Sequence, residues 1–499
     1  MRNILANYDL WAVSANAKQT ALGTEQTLDT SLLIDRTNVP VLDPRRETNA
    51  DELTGKEEPD TVYDLGALTT FANSFPKAQA QHFAFAYAYA LGLATPAAWG
   101  SGYQHVITPI ESLYLPCFTG AFRHGKTIFK RRFADLHVNK VTATFAKDSW
   151  AKLALDIKGT GKYTDNIVKE IIAAAYNESS FLLAANAMQG ADGPTRLDNV
   201  HLVRVQDPAT GQWVDVAVTA VSDATPAEFT ITPPAAGVAI QGLSKAAACV
   251  VTWANHGLVS GGKITFAGIT QTDWAALNGE HVITKINSST FSIAVDTSAF
   301  TNAYAPETDP GTILVSGDAN YEALYVPTEP AWCTFPERVI EPPLRVTDVV
   351  LKLGGLWNGT TLLGGHTLSQ EIDTIEHTLD NQILTEFRIG GTGSYANYAI
   401  RQGRMQTLKL NREARDFILQ QRIKDNEYFS IYLKATGAEF ETGKNYYVEI
   451  VFPRCNVLKT PITVNGKFLA EAGDLTVLED SNYGSIYVKV GNKVAAYAA

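Results

Sequence analysis

Apolar and polar residues alternate with a period of two along most of the chain, the pattern of strands rather than helices. Val141, Ala143 and Phe145 alternate with Thr142 and Thr144. Beyond a Lys147-Asp148-Ser149 turn, Leu153, Leu155 and Ile157 alternate with Lys152, Asp156 and Lys158. This predicts a hairpin with one face on a core and a polar face on water or a channel. The best-written stretch is 446–480: Tyr446 to Pro453, then Arg454 to Leu458, a break at Pro461, and Lys467 to Leu478, with Asn465-Gly466 and Gly473-Asp474 as punctuation. Val448, Ile450 and Phe452 are expected to face a core, and Glu449 the other side. Further strands are predicted at Ile4–Val13, His105–Ile110, Phe118–Phe122, Val346–Leu353, Ile372–Phe387, Met405–Leu410 and Phe429–Leu433.

Three segments read as helices. In the first, Ser74 is the expected N-cap, Pro76 sits in the first turn, and Gly92 ends the helix. Ala80, Phe83, Ala84, Tyr87 and Leu91 keep the helical period. Phe83, Phe85, Tyr87 and Tyr89 put aromatic bulk on both sides, which predicts burial on more than one face, in part against another subunit. The second spans Asn166 to Ala175. The third is capped by Asn411, with Ala414, Phe417, Ile418 and Gln421 as its inner stripe. The fold class expected is mainly β with a few helices. The regions on either side of the middle echo each other, each with a helix and long strands.

Breakers set the organisation. Residues 42–64 read as a long acidic loop, with Glu47, Asp51, Glu52, Glu57, Glu58 and Asp60 along it and Gly55 and Pro59 inside it. Long irregular loops in compact domains tend to have a task, here an arm reaching a neighbouring subunit. Arg123, Lys126, Lys130, Arg131 and Arg132 form a basic cluster that such acidic arms would meet. Residues 1–175 and 317–499 form the two halves of one core, and 176–240 a β-rich connection. Residues 241–316 form a small β-domain, with short strands at near-regular spacing between Gly and Asn turns.

Charge sharpens the reading. With 52 acidic and 41 basic residues the net charge is −11, the wrong sign for a protein that grips nucleic acid by its phosphates. Cys117, Cys249, Cys333 and Cys455 lie far apart, with no metal spacing. They are expected to be reduced, mostly buried thiols of a protein made in cytoplasm. The N-terminus lacks a signal-peptide apolar region, and the longest apolar run is too short to cross a bilayer.

Tests for chemistry find little. Gly120 to Thr127 matches the phosphate-cradling pattern with Lys126 and Thr127, but alternating strands and helices do not surround it. Gly391-Thr-Gly393-Ser-Tyr-Ala396 matches a dinucleotide fingerprint without a helix to follow. His256 has no partner at ligand spacing and reads as a turn residue. No catalytic, cofactor or metal site is expected.

The passages Val138 to Phe145 with Trp150 to Gly159, Val349 to Leu353 with Ile372 to Asn381, and Val448 to Arg454 with the hairpin after it resemble the tail tube protein of a long-tailed, non-contractile bacteriophage. The 241–316 segment, with His256-Gly-Leu258, Leu277-Asn-Gly279 and Thr290-Phe291, resembles a small module inserted in phage virion proteins. The resemblance implies a β-sandwich or barrel subunit with the small β-domain on the outside. It also implies stacked rings, hexameric or trimeric with two half-units per chain, around a lumen for double-stranded DNA. The polar positions Thr142, Thr144, Lys152, Asp156, Lys158 and Glu449 would then face the lumen or a neighbour. Tape measure, terminator and tip proteins would be partners, in a virion tail assembled in the host cytoplasm. The alternatives are a tail-tip or receptor-binding protein and a virion-associated enzyme, either a cell-wall hydrolase or a nucleotide hydrolase using Lys126 and Thr127.

Overall fold

The computed structural model describes residues 9–499 apart from 36, 39, 41, 54, 126–128, 184–187, 189–195, 209, 234–236, 310, 339, 392 and 466–467. The protein is mainly β, with two α-helices among the described residues. It divides into two compact units, one of residues 5–125, 129–164 and 332–499, the other chiefly of 165–331.

The strands that build the larger unit's first half are β1 (Leu10–Val13), β2 (Leu42–Thr48), β3 (Val62–Phe75), β4 (Gly92–Trp99), β5 (Gly102–Pro109), β6 (Phe118–His124), β7 (Phe129–Ala146) and β8 (Lys152–Gly159), with α1 (Ala80–Leu91) after β3. The smaller unit opens on β9 (Val168–Ala175) and closes on β10 (Asp318–Tyr325). The second half follows with β11 (Ile372–Asp380), β12 (Ile383–Glu386), β13 (Tyr398–Arg401), β14 (Met405–Glu413), α2 (Ile418–Lys424), β15 (Phe429–Glu441), β16 (Lys444–Lys459), β17 (Ile462–Asn465), β18 (Phe468–Leu478) and β19 (Tyr487–Asn492).

In the larger unit an antiparallel sheet runs β2-β3-β8-β7-β11-β14-β18 and ends on β17 and the last residues of β16. It curves into half a barrel. A second sheet runs β4-β5-β19-β16-β15, continues to residues 349–353 and ends on residues 366–367. The long β16 belongs to both, because its first part pairs with β19 and its last part with β18. Helix α1 packs against strands of both sheets. One row across the first sheet, Phe75-Leu153-Ala143-His377-Leu408-Leu475-Val457, is buried throughout.

All twelve residues of α1 are buried. Its aromatic bulk on every side therefore finds protein on every side within one chain, and no second subunit is needed to cover it. Gly92 ends the helix in the left-handed region, as expected, at φ 102°. The start differs from expectation. Ser74 and Phe75 close strand β3, and Gln79 with His82 forms the cap instead. The third predicted helix is also shorter. Asn411 lies in β14, Phe417 is the exposed N-cap of α2, and Leu419 is its buried residue. Gly473 and Asp474 lie inside β18 rather than at a turn, and the expected strand 372–387 breaks at Asn381-Gln382.

The predicted helix Asn166–Ala175 is strand β9. It pairs with β10 from Val168 opposite Tyr325 to Ala175 opposite Asp318. Its sequence is rich in helix formers, but burial alternates residue by residue, and an available partner strand overrides weak propensity. The same pairing brings the two ends of the smaller unit side by side. Residues 176–325 share one core, with Phe181 stacked on Tyr321 and Phe229 against Tyr325. Within it, residues 238–316 form a seven-stranded sheet. His256 is a turn residue there: its Nε2 donates to the Asn287 carbonyl at 2.9 Å and its Nδ1 accepts from the Leu258 N–H at 3.0 Å.

The larger unit contains a repeat in its connections. β3 leads to α1 across residues 76–79, and β14 leads to α2 across residues 414–417. Each helix leads to a hairpin with a two-residue turn, 100–101 between β4 and β5 and 442–443 between β15 and β16. β3 pairs with β8 as β14 pairs with β18. The halves meet where β7 pairs with β11.

Candidate assembly surface

The polar residues of the predicted hairpin all point away from the core. Thr142, Thr144, Lys152, Asp156 and Lys158 are half-buried or exposed, and their neighbours Val141, Ala143, Leu153, Leu155 and Ile157 are buried. The pairings extend this face across the whole half-barrel. Ser74, Ala154, Thr142, Thr378, Thr407, Thr476 and Asn456 stand opposite one another on seven strand segments. The row carries no charge and no large side chain.

Charges lie in the rows on either side, with signs mixed. One row runs Lys152-Thr144-Glu376-Lys409-Asp474-Lys459, closed by a 2.9 Å ion pair between Lys459 and Asp474. The other runs Ala72-Asp156-Lys140-Asp380-Met405. With Lys158 these two rows hold five lysines against four carboxylates, so they are balanced rather than acidic like the chain as a whole. Glu449 does not belong to it. It lies on the second sheet between Lys434 and Lys489, nearly covered, with the Lys434 Nζ 3.8 Å away. Val448, Ile450 and Phe452 are buried as expected.

Residues 42–64 are not an irregular loop. β2 and β3 pair as far as Thr48 opposite Val62, so the stretch is a projecting hairpin arm. Glu47 is exposed on β2, and Asp51, Glu52, Glu57, Glu58 and Asp60 are exposed around the tip. Asp60 accepts from Asn49 at 2.7 Å and pairs with Lys56. The Tyr63 hydroxyl donates to Glu52 at 2.8 Å.

The basic cluster has other partners in the chain. Lys130 is buried and donates to the Cys333 carbonyl at 3.0 Å. Arg132 pairs with Glu25 and lies over the Trp332 ring. Arg123 covers Phe335, and Arg131 covers Tyr163 at 4.6 Å. Lys130, Arg132 and Arg123 clamp residues 332–335 onto β6 and β7. Lys126 lies outside the described residues, as does Thr127. The glycine pattern that contains them runs from β6 into the antiparallel β7, where a phosphate cradle would need a helix. Gly391 and Gly393 lie in the turn between β12 and β13. All four cysteines are buried, and Cys117, Cys249 and Cys455 form no disulfide.

Both ends of the half-barrel are open edges. Among the described residues β2 pairs only with β3 and β17 only with β18. Apolar side chains stand bare beside them: Val464 is 76% and Phe468 68% exposed at one end, and Val62 is 61% exposed at the other. Unpaired donors and acceptors flanked by apolar groups are a template for another strand.

One constellation has no sequence signal. His366, Glu371 and Asp416 bring ligand atoms within 4.8 Å of one another. Both carboxylates already accept from Arg412, at 3.4 and 2.7 Å, and Arg412 reaches the fully buried Glu471 at 2.7 Å. This is an ion-pair network around a buried guanidinium. No helix among the described residues is long and apolar enough to cross a membrane. No known protein-family model matches the chain, and no curated protein matches it significantly.

Proposed function

We propose that this protein is a structural subunit that joins edge to edge into rings, stacked as the tail tube of a long-tailed, non-contractile bacteriophage. The observation that carries the reading is the uncharged row Ser74-Ala154-Thr142-Thr378-Thr407-Thr476-Asn456 between rows of mixed sign. A wall without a run of cations releases few counterions from a passing polyanion, so double-stranded DNA would slide along it rather than stick. The open edges support closure, because a ring removes exposed edges altogether. A ring of six half-units takes three chains, since each chain supplies two. A tape measure protein inside the tube and terminator and tip proteins at its ends are the partners this role requires. The tail would be assembled in the host cytoplasm and carried in the virion.

Electron microscopy of the purified protein tests this: rings or tubes are expected at high concentration. Monodisperse monomers alone, together with absence of the protein from virions, would overturn it. A second reading, a tail-tip or receptor-binding protein, draws on the smaller unit with its own core. Copy number separates the two, since a tube subunit gives one of the strongest virion bands on a gel and a tip protein a faint one.

A further inference from the structure

We infer that the larger unit holds a binding site for a small amphipathic anion, in a cavity between residues 18–22, residues 110–117, the end of α1 and β7. The ligand would be an apolar body that carries one hydrogen-bond donor and one negatively charged group. The site shares no residue with the threonine row or the open edges and does not rest on the ring reading.

The cavity has a volume of 380 Å³, in the range of pockets that enclose small organic ligands. Its walls are mostly apolar, with Leu22, Ile110, Tyr114, Leu115, Pro116 and Ala399 among them. Those walls are fixed on both sides. Residues 18–22 are pinned at each end to Asp135 of β7, whose N–H donates to the Gln19 Oε1 at 3.0 Å and whose Oδ1 accepts from the Gly23 N–H at 2.6 Å. The Gln19 N–H donates to the Cys117 carbonyl at 2.9 Å. Opposite, the Ile110 N–H donates to the Leu91 carbonyl at 2.9 Å, and the Arg401 N–H to the Leu113 carbonyl at 2.8 Å. Such a site exists before a ligand arrives, so binding costs little ordering.

His137 gives the cavity an acceptor. It lines the cavity and is 4% exposed. Its Nδ1 lies 3.0 Å from the Asp135 carbonyl, which can only accept, so Nδ1 carries the proton. Burial holds the ring down to about 4, so it is neutral and Nε2 keeps a lone pair. That lone pair has no donor among the described residues. A buried acceptor amid apolar walls is matched by an N–H or O–H of a ligand.

The charge around the cavity is positive, in a chain of net charge −11. Lys18 lines it and is exposed. Arg401, 8% exposed, shares a face of β13 with Ala399. Arg401 and Arg404 converge on the Ile110 carbonyl, at 3.5 and 2.9 Å, and the buried Nε of Arg404 has no acceptor. Facing Arg404 are Glu111, exposed and 3.8 Å away, and Glu479. No carboxylate lines the cavity among the described residues. The nearby Asp135 carboxylate is taken up by Gly23 and Thr160. Burial pushes the Cys117 thiol up to about 12, so it stays protonated and adds no negative charge.

Two dyes test the site on the full-length protein: anilinonaphthalene sulfonate, and phenylnaphthylamine, which has the same body and N–H without the charge. The sulfonate should saturate one site per chain, raise the melting temperature and bind about tenfold more tightly than the amine. Absence of saturable binding would overturn the inference. Ala399→Trp fills the cavity and should abolish binding of both dyes. Binding that survives in a variant with unchanged circular dichroism would place the dye on an exposed apolar patch and overturn the site. Lys18→Glu alters an exposed side chain and keeps the fold. It should weaken the sulfonate about tenfold and leave the amine unchanged. An equal effect on both dyes, or none on either, would overturn the anion preference even if Ala399→Trp fails to fold. His137→Phe should weaken both dyes, and unchanged affinities would remove His137 from the site.

Discussion

The Tyr87 hydroxyl lies 2.8 Å from Nδ1 of His377, tying the buried helix of the first half to the opening strand of the second. His377 Nε2 then faces the Gln406 side-chain oxygen at 3.2 Å, and Gln406 donates to the Ser485 hydroxyl at 2.7 Å. A neutral imidazole satisfies this chain of bonds, accepting from tyrosine and donating to glutamine. Burial holds His377 down to about 4.

Acid should loosen the larger unit well before its carboxylates are protonated. His82 and His137 are also buried and held to about 3 and about 4. Above pH 6.5 these three histidines are neutral folded or unfolded, and the stability they carry is whole. Below it the unfolded chain takes up protons that the folded chain refuses, down to about pH 4. Glu341 acts in the opposite sense. Burial raises it to about 7, so its contribution is whole below about 4.5 and is lost as pH rises to 7. His105, also lowered by burial, acts with these three imidazoles, while burial raises Asp29 and Asp135 in the sense of Glu341; the imidazoles outnumber the carboxyls, so stability should fall as pH drops below 6.5. Thermal melts between pH 6.5 and 5 should show a falling midpoint; a flat or rising one would refute the assignment.

Arg412 is the most exposed point of failure in the second half, although it is itself fully buried. It alone spans Glu471, Asp416 and Glu371, and Glu471 is also fully buried. Arg412→Met should cost about 3–5 kcal/mol by stranding that carboxylate. Adding Glu471→Leu should recover most of the loss in denaturant melts. A double variant as unstable as the single one would contradict this account.

If the uncharged row is the wall of a conduit, adding cations to it should make the wall adhesive. Thr142→Lys, Thr378→Lys and Thr407→Lys lie on adjacent strands and point away from the core, so the fold should survive. Assembled protein carrying all three should bind duplex DNA, with a salt slope steeper by up to about 0.9 per added contact. Binding by the unsubstituted assembly as tight as by the variant would argue against the conduit.

The smaller unit should be removable. β9 and β10 pair directly, so residues 165–331 begin and end side by side. Replacing them with a short Gly/Ser linker should leave the larger unit folded, with its circular dichroism and its rings unchanged. Loss of both would show that the units depend on each other.

What the sequence conveyed was local. Alternation at Val141 to Ile157 was enough to assign both faces of a hairpin, because a period of two leaves no other choice. The helix at 80–91 could be found, but its apparent stripe was incidental, since every face is buried. Ala and Glu in 168–175 read as helix because propensity is computed along the chain, while the partner strand lies some 150 residues away. For the same reason the threonine row was invisible. Thr142, Thr378, Thr407 and Thr476 become neighbours only when three registers are known, and no local pattern sets the pairing of β7 with β11. The charges of Arg123, Lys130, Arg131 and Arg132 were legible, but the aromatic rings and the carbonyl that they hold within the chain were not, because most of those partners lie some 200 residues further on.

The position of β19 sets a schedule for synthesis. It fills the slot between β5 and β16, with Val488 opposite Ile107, roughly 380 residues later in the chain. At about 5–20 residues per second a ribosome needs roughly 20–80 s to cover that distance. During that interval the β5 edge that β19 will cover stands unpaired and α1 lacks part of its cover. A nascent chain is thus marked as unfinished by its own missing strand, an unpaired edge that completed copies do not show.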